Sequence, residues 1–255
     1  MAKDAAGSPA SVKVVAMSKP SIMICLPAYG QSNSAQTTES LYTLAQFLGF
    51  NQIRNQLSWY SAADIVEVRN LFLTTWYDTQ PQFSHLLFVD ADMGFPPELI
   101  RDMIKFDKPL VGTFYARRQM TPSIVGASLH ADHSLKDVVQ GFLPASYVGG
   151  GVMLIQRKMI KEMLQKMPEL SDALPSVLAN ATTAPLTRLI RAFDCILKDD
   201  RRLSEDVSFC ARWRDCGGEI WANVNHKISH VGPFDFHMRY GGVLEAKAQQ
   251  IDVAA

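Results

Sequence analysis

Charge of one sign is missing from this chain. Lysine plus arginine and aspartate plus glutamate both total 25, so no overall field draws in nucleic acid or an anionic membrane, and any anionic ligand must be held by local groups. Cysteine is sparse. Cys25, Cys195, Cys210 and Cys216 form no CxxC pair, and two of them lie in apolar runs where a reduced cysteine packs as a small hydrophobe. That pattern argues against a disulfide framework or a structural zinc site. No apolar stretch approaches the ~20 residues that span a bilayer, and no signal-peptide core stands near the N-terminus. The expectation is a cytoplasmic protein with no transmembrane segment and no nucleic-acid partner.

What is present is ordinary globular composition, with 47% hydrophobic and 20% charged residues over 255 positions, enough chain for one large core. Residues 1–19, rich in Ala, Ser, Gly and Lys, read as a flexible leader, and 20–255 as a single domain. Ser21 to Pro27 is a short apolar run stopped by Pro27 and Gly30, as in a buried parallel strand. Leu41, Leu44, Ala45 and Leu48 recur at helical spacing, Asn51 to Ser58 forms a second strand, and Asp64 to Tyr77 a second helix. The buried strand His85 to Val89 runs into Asp90-Ala91-Asp92. Pro96 and Pro97 open a helix through Met103, Lys108 to Tyr115 is a strand, and Tyr147 to Ile155 is a strand interrupted by Gly149, Gly150 and Gly151. A helix follows over Arg157 to Met167. Residues 168–200 read as an irregular insertion with short helices, a lid over an acceptor. Glu205 to Cys216 is helical again, and Glu219 to Asn223 a last core strand. The alternation defines an α/β fold with a mixed, mostly parallel central sheet flanked by helices.

Two carboxylates at i and i+2, Asp90 and Asp92, at the end of a buried strand are costly side by side unless something positive lies between them. A divalent cation meets that need, since ligands in open α/β sheets gather outside the carboxyl ends of strands and hard cations take carboxylate and phosphate oxygens together. The plainer reading is a solvated turn in which Asp90 caps the next segment. Glu205 and Asp206, after Ser204, are either an ordinary helix start or a pair in which one carboxylate serves a sugar pocket as general base. His230, just past the last core strand, is a structural histidine or a ligand favouring Mn²⁺ over Mg²⁺. Arg69-Asn70 and Arg117-Arg118 suit oxyanions through the guanidinium fork. Trp59, Tyr60 and Tyr29 are large enough to stack a base or simply to pack at a rim.

Taken in order, PAYG after the first strand, RN on a helix, LLFVDADMGFPPELI, GTFYARR, YVGGGVMLI, LSEDVSFCARWRDCGG and HVG resemble glycosyltransferases of the GT-A (Rossmann-like) fold. They are nearest to bacterial and phage family-two-like enzymes and more loosely similar to Anp1/Mnn9 mannosyltransferases, over about residues 20–235. The resemblance implies a metal-dependent hexosyltransferase that moves a sugar from a UDP- or GDP-linked donor to a hydroxyl of a glycan or other acceptor. Asp90 and Asp92 would be the DXD motif, with His230 a further ligand of Mn²⁺ (or Mg²⁺). Pro27, Ala28 and Tyr29 would line the nucleotide with Ala91, Arg69 would stand near the donor, and Gly149 to Gly151 would border sugar and acceptor. Asp206 and Glu205 match the acidic motif at the reacting centre. Such enzymes often carry a hydroxyl residue where this chain has Gly150. The competing readings are a sugar nucleotidyltransferase and a non-catalytic carbohydrate- or nucleotide-binding module. The basic glycine-rich loop a nucleotidyltransferase uses is absent from PAYGQSNSAQ. The short apolar stretch Val243 to Ala248 would serve peripheral membrane contact or self-association, or else pack as a terminal helix.

Overall fold

The computed structural model describes residues 19–118, 124–129, 134–174, 185–233 and 235–254. Eight strands form the central sheet: β1 (Ser21–Pro27), β2 (Arg54–Tyr60), β3 (His85–Val89), β4 (Leu110–Thr113), β5 (Ala127–Leu129), β6 (Phe142–Val148), β7 (Val152–Gln156) and β8 (Trp221–Asn223). Their order across the sheet is β2-β1-β3-β7-β4-β8-β6-β5. β1 runs parallel to β2 and β3, and β4 parallel to β8, whereas β7 and β6 run against their neighbours. The sheet is therefore mixed, with most strands pointing one way, and the carboxyl ends of β1 and β3 lie side by side.

Helices cover both faces. α1 (Ala35–Phe50) and α3 (Pro97–Phe106) pack on one; α2 (Ile65–Thr74), α4 (Arg157–Lys166), α5 (Glu205–Asp215) and α6 (Tyr240–Ala254) pack on the other. Strand β3 shows why its sequence is apolar throughout. Leu86 and Phe88 enter the core under α2 and α5, while Leu87 and Val89 enter the core under α1 and α3, as a strand buried on both faces requires. Ser34 caps α1 by accepting the Thr37 N–H at 3.0 Å, and Asp64 caps α2 by accepting the Val66 N–H at 2.9 Å, each satisfying an otherwise orphaned helix donor. The far end of α2 is closed by a side chain from the residue that follows β7, beside the start of β3. The Arg157 guanidinium donates to the carbonyls of Trp76, Tyr77, Gln80 and Phe83 and lies 4.4 Å from the centre of the Trp76 ring. The entry into β3 is thereby held rigidly.

Three expectations change in detail. The glycine-interrupted strand is two strands, β6 and β7, which are not neighbours in the sheet, because Gly149 to Gly151 carry the chain across between them. The strand expected over 108–115 leaves the sheet after Thr113, and Tyr115–Ala116 pairs instead with Ile124–Val125. Between 168 and 202 the described residues include one short helix, the 3₁₀ turn Pro168–Leu170, and two small antiparallel pairs, Ser171–Ala173 with Arg188–Ile190 and Leu197–Lys198 with Arg201–Arg202. Residues 175–184 of that insertion, and the leader through 18, lie outside the described residues. The C-terminal stretch is a packed helix, with Tyr240 stacked on Phe114 at 4.1 Å and Leu244 buried. No helix among the described residues is long and apolar enough to cross a membrane.

His85, the first residue of β3, is 8% exposed. Burial, with Lys158 adding to it against Asp107, pushes its imidazole down to about 4. The unfolded chain binds a proton there near pH 6.5 and the folded one does not. The stability His85 contributes is therefore full above pH 6.5 and is lost as pH falls toward 4. Urea titrations across that window should show a loss of about 3 kcal/mol from this group. The same titrations on His85→Gln should show a flatter pH dependence; equal slopes in both proteins would remove His85 as the cause.

Candidate active site

Beyond β3 the chain turns through Asp90-Ala91-Asp92, closed by the Met93 N–H to the Asp90 carbonyl at 3.2 Å. The turn is held from three sides. The Ser34 N–H donates to the Ala91 carbonyl at 2.8 Å, the Asp90 N–H to the Gly151 carbonyl at 2.9 Å, and the Val231 N–H to the Asp92 carbonyl at 2.7 Å. The start of α1, the glycine segment and the strand Ile228–Val231 thus converge on the two acids, with His230 opposite Met93 in an antiparallel pair.

The positive charge demanded by the acids comes from the protein. Arg69, on α2 and 2% exposed, donates through Nη2 to both Asp90 carboxylate oxygens at 2.9 and 3.2 Å and through Nη1 to Glu205 Oε1 at 2.6 Å. Burial alone would lower the guanidinium's pKa; the charges of Asp90, Glu205 and Asp206 outweigh it and hold Arg69 above its ordinary value. Glu205 is shifted upward, first by burial and then by Asp206 and Asp90, against the pull of Arg69. Arg69 is enclosed, with its guanidinium engaged by two carboxylates. Its neighbour Asn70 is structural, donating to Asp194 at 2.7 Å and accepting the Phe193 N–H at 2.9 Å.

The glycines acquire a reason here. A β carbon at residue 150 would fall inside the Arg69 guanidinium, and one at 149 or 151 would collide with the Tyr115 ring. The absence of a hydroxyl residue at 150 is thus a packing requirement of Arg69. The Gly150 N–H points at Asp206 Oδ2, 3.4 Å away. Asp206 Oδ1 accepts the Val207 N–H at 2.8 Å and the Ser204 hydroxyl, so Ser204 braces Asp206 rather than capping α5 itself. Of the two acids, Glu205 is committed to Arg69, and Asp206 has an oxygen beside the glycine segment.

Asp92 belongs to a different set. Its Oδ2 lies 2.9 Å from Arg118 Nη1 and 3.5 Å from His230 Nε2. The Ala116 carbonyl, 2.8 Å from His230 Nδ1, can only accept. The neutral ring therefore carries its proton on Nδ1 and turns the Nε2 lone pair toward Asp92. Tyr115 packs edge-on against the same imidazole at 5.2 Å, and burial, with Asp90 and Asp206, holds its phenol well above the usual range. Asp90, Asp92 and His230 do not form a single three-ligand cluster, and none exists among the described residues. The pair that fits a cation is His230 with Asp92, two lone-pair donors facing each other across 3.5 Å.

Next to the turn opens a cleft of about 510 Å³ at the ends of β1 and β2, lined by Ala28, Ser32, Asn33, Leu57 and Trp59 among others. Trp59 is 60% exposed, its indole free to stack. Ala28 lines this cleft; Pro27 is buried, and Tyr29, 75% exposed, stands outside the lining. The Asp92–Arg118 contact and the role of Ala116 were not legible in GTFYARR, because both depend on the chain leaving the sheet after Thr113.

No family model and no curated protein matches this chain. Solved structures share its layout at a distance. A197 from STIV aligns with 12% identity over 84% of this chain and 86% of its own, TM-score 0.47. The catalytic domain of Drosophila beta1,4galactosyltransferase 7 with xylobiose aligns with 11% identity over 86% and 70%, TM-score 0.41. A mutant of that enzyme with manganese, UDP-Gal and xylobiose aligns with 12% identity over the same shares, TM-score 0.43. At such values these likenesses say nothing about the reaction of this chain, which rests on its own geometry.

Gly150→Ala should destabilise the fold by about 1–3 kcal/mol, as overpacking against a fixed group does. The penalty should shrink when Arg69 is also replaced by Met, as read from a double-mutant cycle in urea. Additive effects would show that Arg69 is not what excludes the side chain.

Proposed function

We propose that this chain is a metal-dependent glycosyltransferase that uses a nucleotide-sugar donor. The observation that carries the reading is the meeting, beyond the carboxyl end of β3, of the Asp92–His230 pair and the Asp206 carboxylate beside Gly150; the cleft holding Trp59 adjoins this turn through Ser32 and Asn33, whose neighbour Ser34 donates to the Ala91 carbonyl. A base stacks on Trp59, and its diphosphate reaches the Asp90-Ala91-Asp92 turn. Asp92 and His230 are the residues that would hold a divalent cation there, and the imidazole would favour Mn²⁺ over Mg²⁺. The chemistry such a cation would supply is offset of the charge that builds on the departing nucleoside diphosphate.

The remaining work falls to side chains. Asp90, fixed by Arg69, orients the turn and accepts hydrogen bonds from the donor. Asp206 takes the proton of the acceptor hydroxyl as its oxygen bonds to the anomeric carbon and the bond from that carbon to the diphosphate oxygen breaks, a direct displacement with inversion. Ser204 and the Val207 N–H hold the Asp206 carboxylate in place. Glu205, through Arg69, ties the start of α5 to the end of β3.

Thermal stabilisation by UDP-, GDP-, CMP- and dTDP-sugars, each with and without Mn²⁺, tests this directly, since a ligand that binds only the folded chain raises its melting temperature. A Mn²⁺-dependent shift for one base is expected; no shift with any of them would overturn the reading. Asp206→Asn should keep that shift and reduce transfer roughly 10²- to 10⁴-fold, the usual contribution of a general base. Binding without transfer in the unaltered chain would instead mark a non-catalytic module.

A further inference from the structure

The two arginines at the acidic turn are held very differently. Arg69 is enclosed, its side chain 3% exposed, and it bridges two carboxylates. Arg118 is half exposed, its stem lies over Gly232, and it meets Asp92 at one oxygen, Oδ2. That oxygen also faces His230 Nε2. A guanidinium and a divalent cation cannot both occupy the space in front of it.

We infer that Arg118 is a displaceable counter-cation: it occupies Asp92 in the free protein, yields that carboxylate to the metal, and moves onto the diphosphate that arrives with it. The inference rests on the reading of Asp92 and His230 as the cation's ligands. The exchange is cheap in the first step, because a solvent-exposed ion pair stabilises by a factor of only about five. It is favourable in the second, because a guanidinium pairs with phosphate oxygens through two parallel hydrogen bonds. Arg69 cannot do the same, since releasing it would leave a buried charge unpaired. The consequence is an order of binding: the metal binds weakly alone and well together with a diphosphate, so the free protein does not hold a cation without its substrate.

The test uses Mn²⁺ alone, followed by the electron paramagnetic resonance signal of the free aqueous ion, and inorganic pyrophosphate at saturating Mn²⁺, followed by calorimetry. Arg118→Ala should bind Mn²⁺ alone roughly three- to tenfold more tightly than the unaltered chain and pyrophosphate at least as many times more weakly. Arg118→Lys, which keeps the charge but not the fork, should stay near the unaltered chain for Mn²⁺ and lose part of the pyrophosphate affinity. A merely structural Arg118 would weaken both or neither, and either result would overturn the inference while Asp92→Ala still abolished Mn²⁺ binding. Unchanged Mn²⁺ binding in Asp92→Ala would instead overturn the metal site, and this inference with it.

Discussion

Taking the Arg69 guanidinium out of water costs several kcal/mol, and that cost is offset only where Asp90 and Glu205 are brought against it from two separate parts of the chain. Much of the acidic end follows from this contact. It fixes the turn after β3 relative to the start of α5. It requires a residue without a side chain at 150. It also commits Asp90 and Glu205 to a buried ion-pair network, leaving Asp92 and Asp206, the partners of each motif, facing other groups. A buried pair of this kind is weak support for stability as such, because a well-packed apolar substitute often does as well. Its value here is positional.

The second feature is a division of labour between the acids. Asp92 looks toward His230 and Arg118, where charge is partly screened by solvent and groups can exchange. Asp90 and Glu205 meet the enclosed Arg69 guanidinium, whose burial keeps it from leaving them. The two ends of one three-residue turn thus carry one counter-charge that is fixed, Arg69, and one that is half exposed, Arg118. The chain's zero net charge agrees with this arrangement, since recognition of an anion then depends on a few placed groups and not on a general field.

Much of the fold was legible in the residues because it rests on local rules. The apolar runs of β1 and β3, the helical spacing of α1 and α2, and the proline start of α3 each follow from period and punctuation. What was misread lay where tertiary contacts override those rules. Gly149 to Gly151 looked like a weak point in one strand, whereas the chain crosses there between non-adjacent strands. In the insertion a short helix is present at Pro168–Leu170, but the pairing of Ser171–Ala173 with Arg188–Ile190 joins segments too far apart for a local pattern to show. Within the site, Asp90, Asp92, Glu205, Asp206 and His230 were all singled out, yet their division into two sets was invisible, since the pairing of Arg69 with Glu205 spans 136 positions.

The sequence by itself determined that this is an α/β chain with acids at the end of a doubly buried strand and a second acidic pair at a helix start, because hydrophobic period and the cost of adjacent carboxylates act over a few residues. Only the tertiary structure decided which acid meets which cation, why residue 150 must be glycine, and which arginine is free to move. Those outcomes depend on burial and on distances between segments far apart in the chain, quantities that no local pattern encodes.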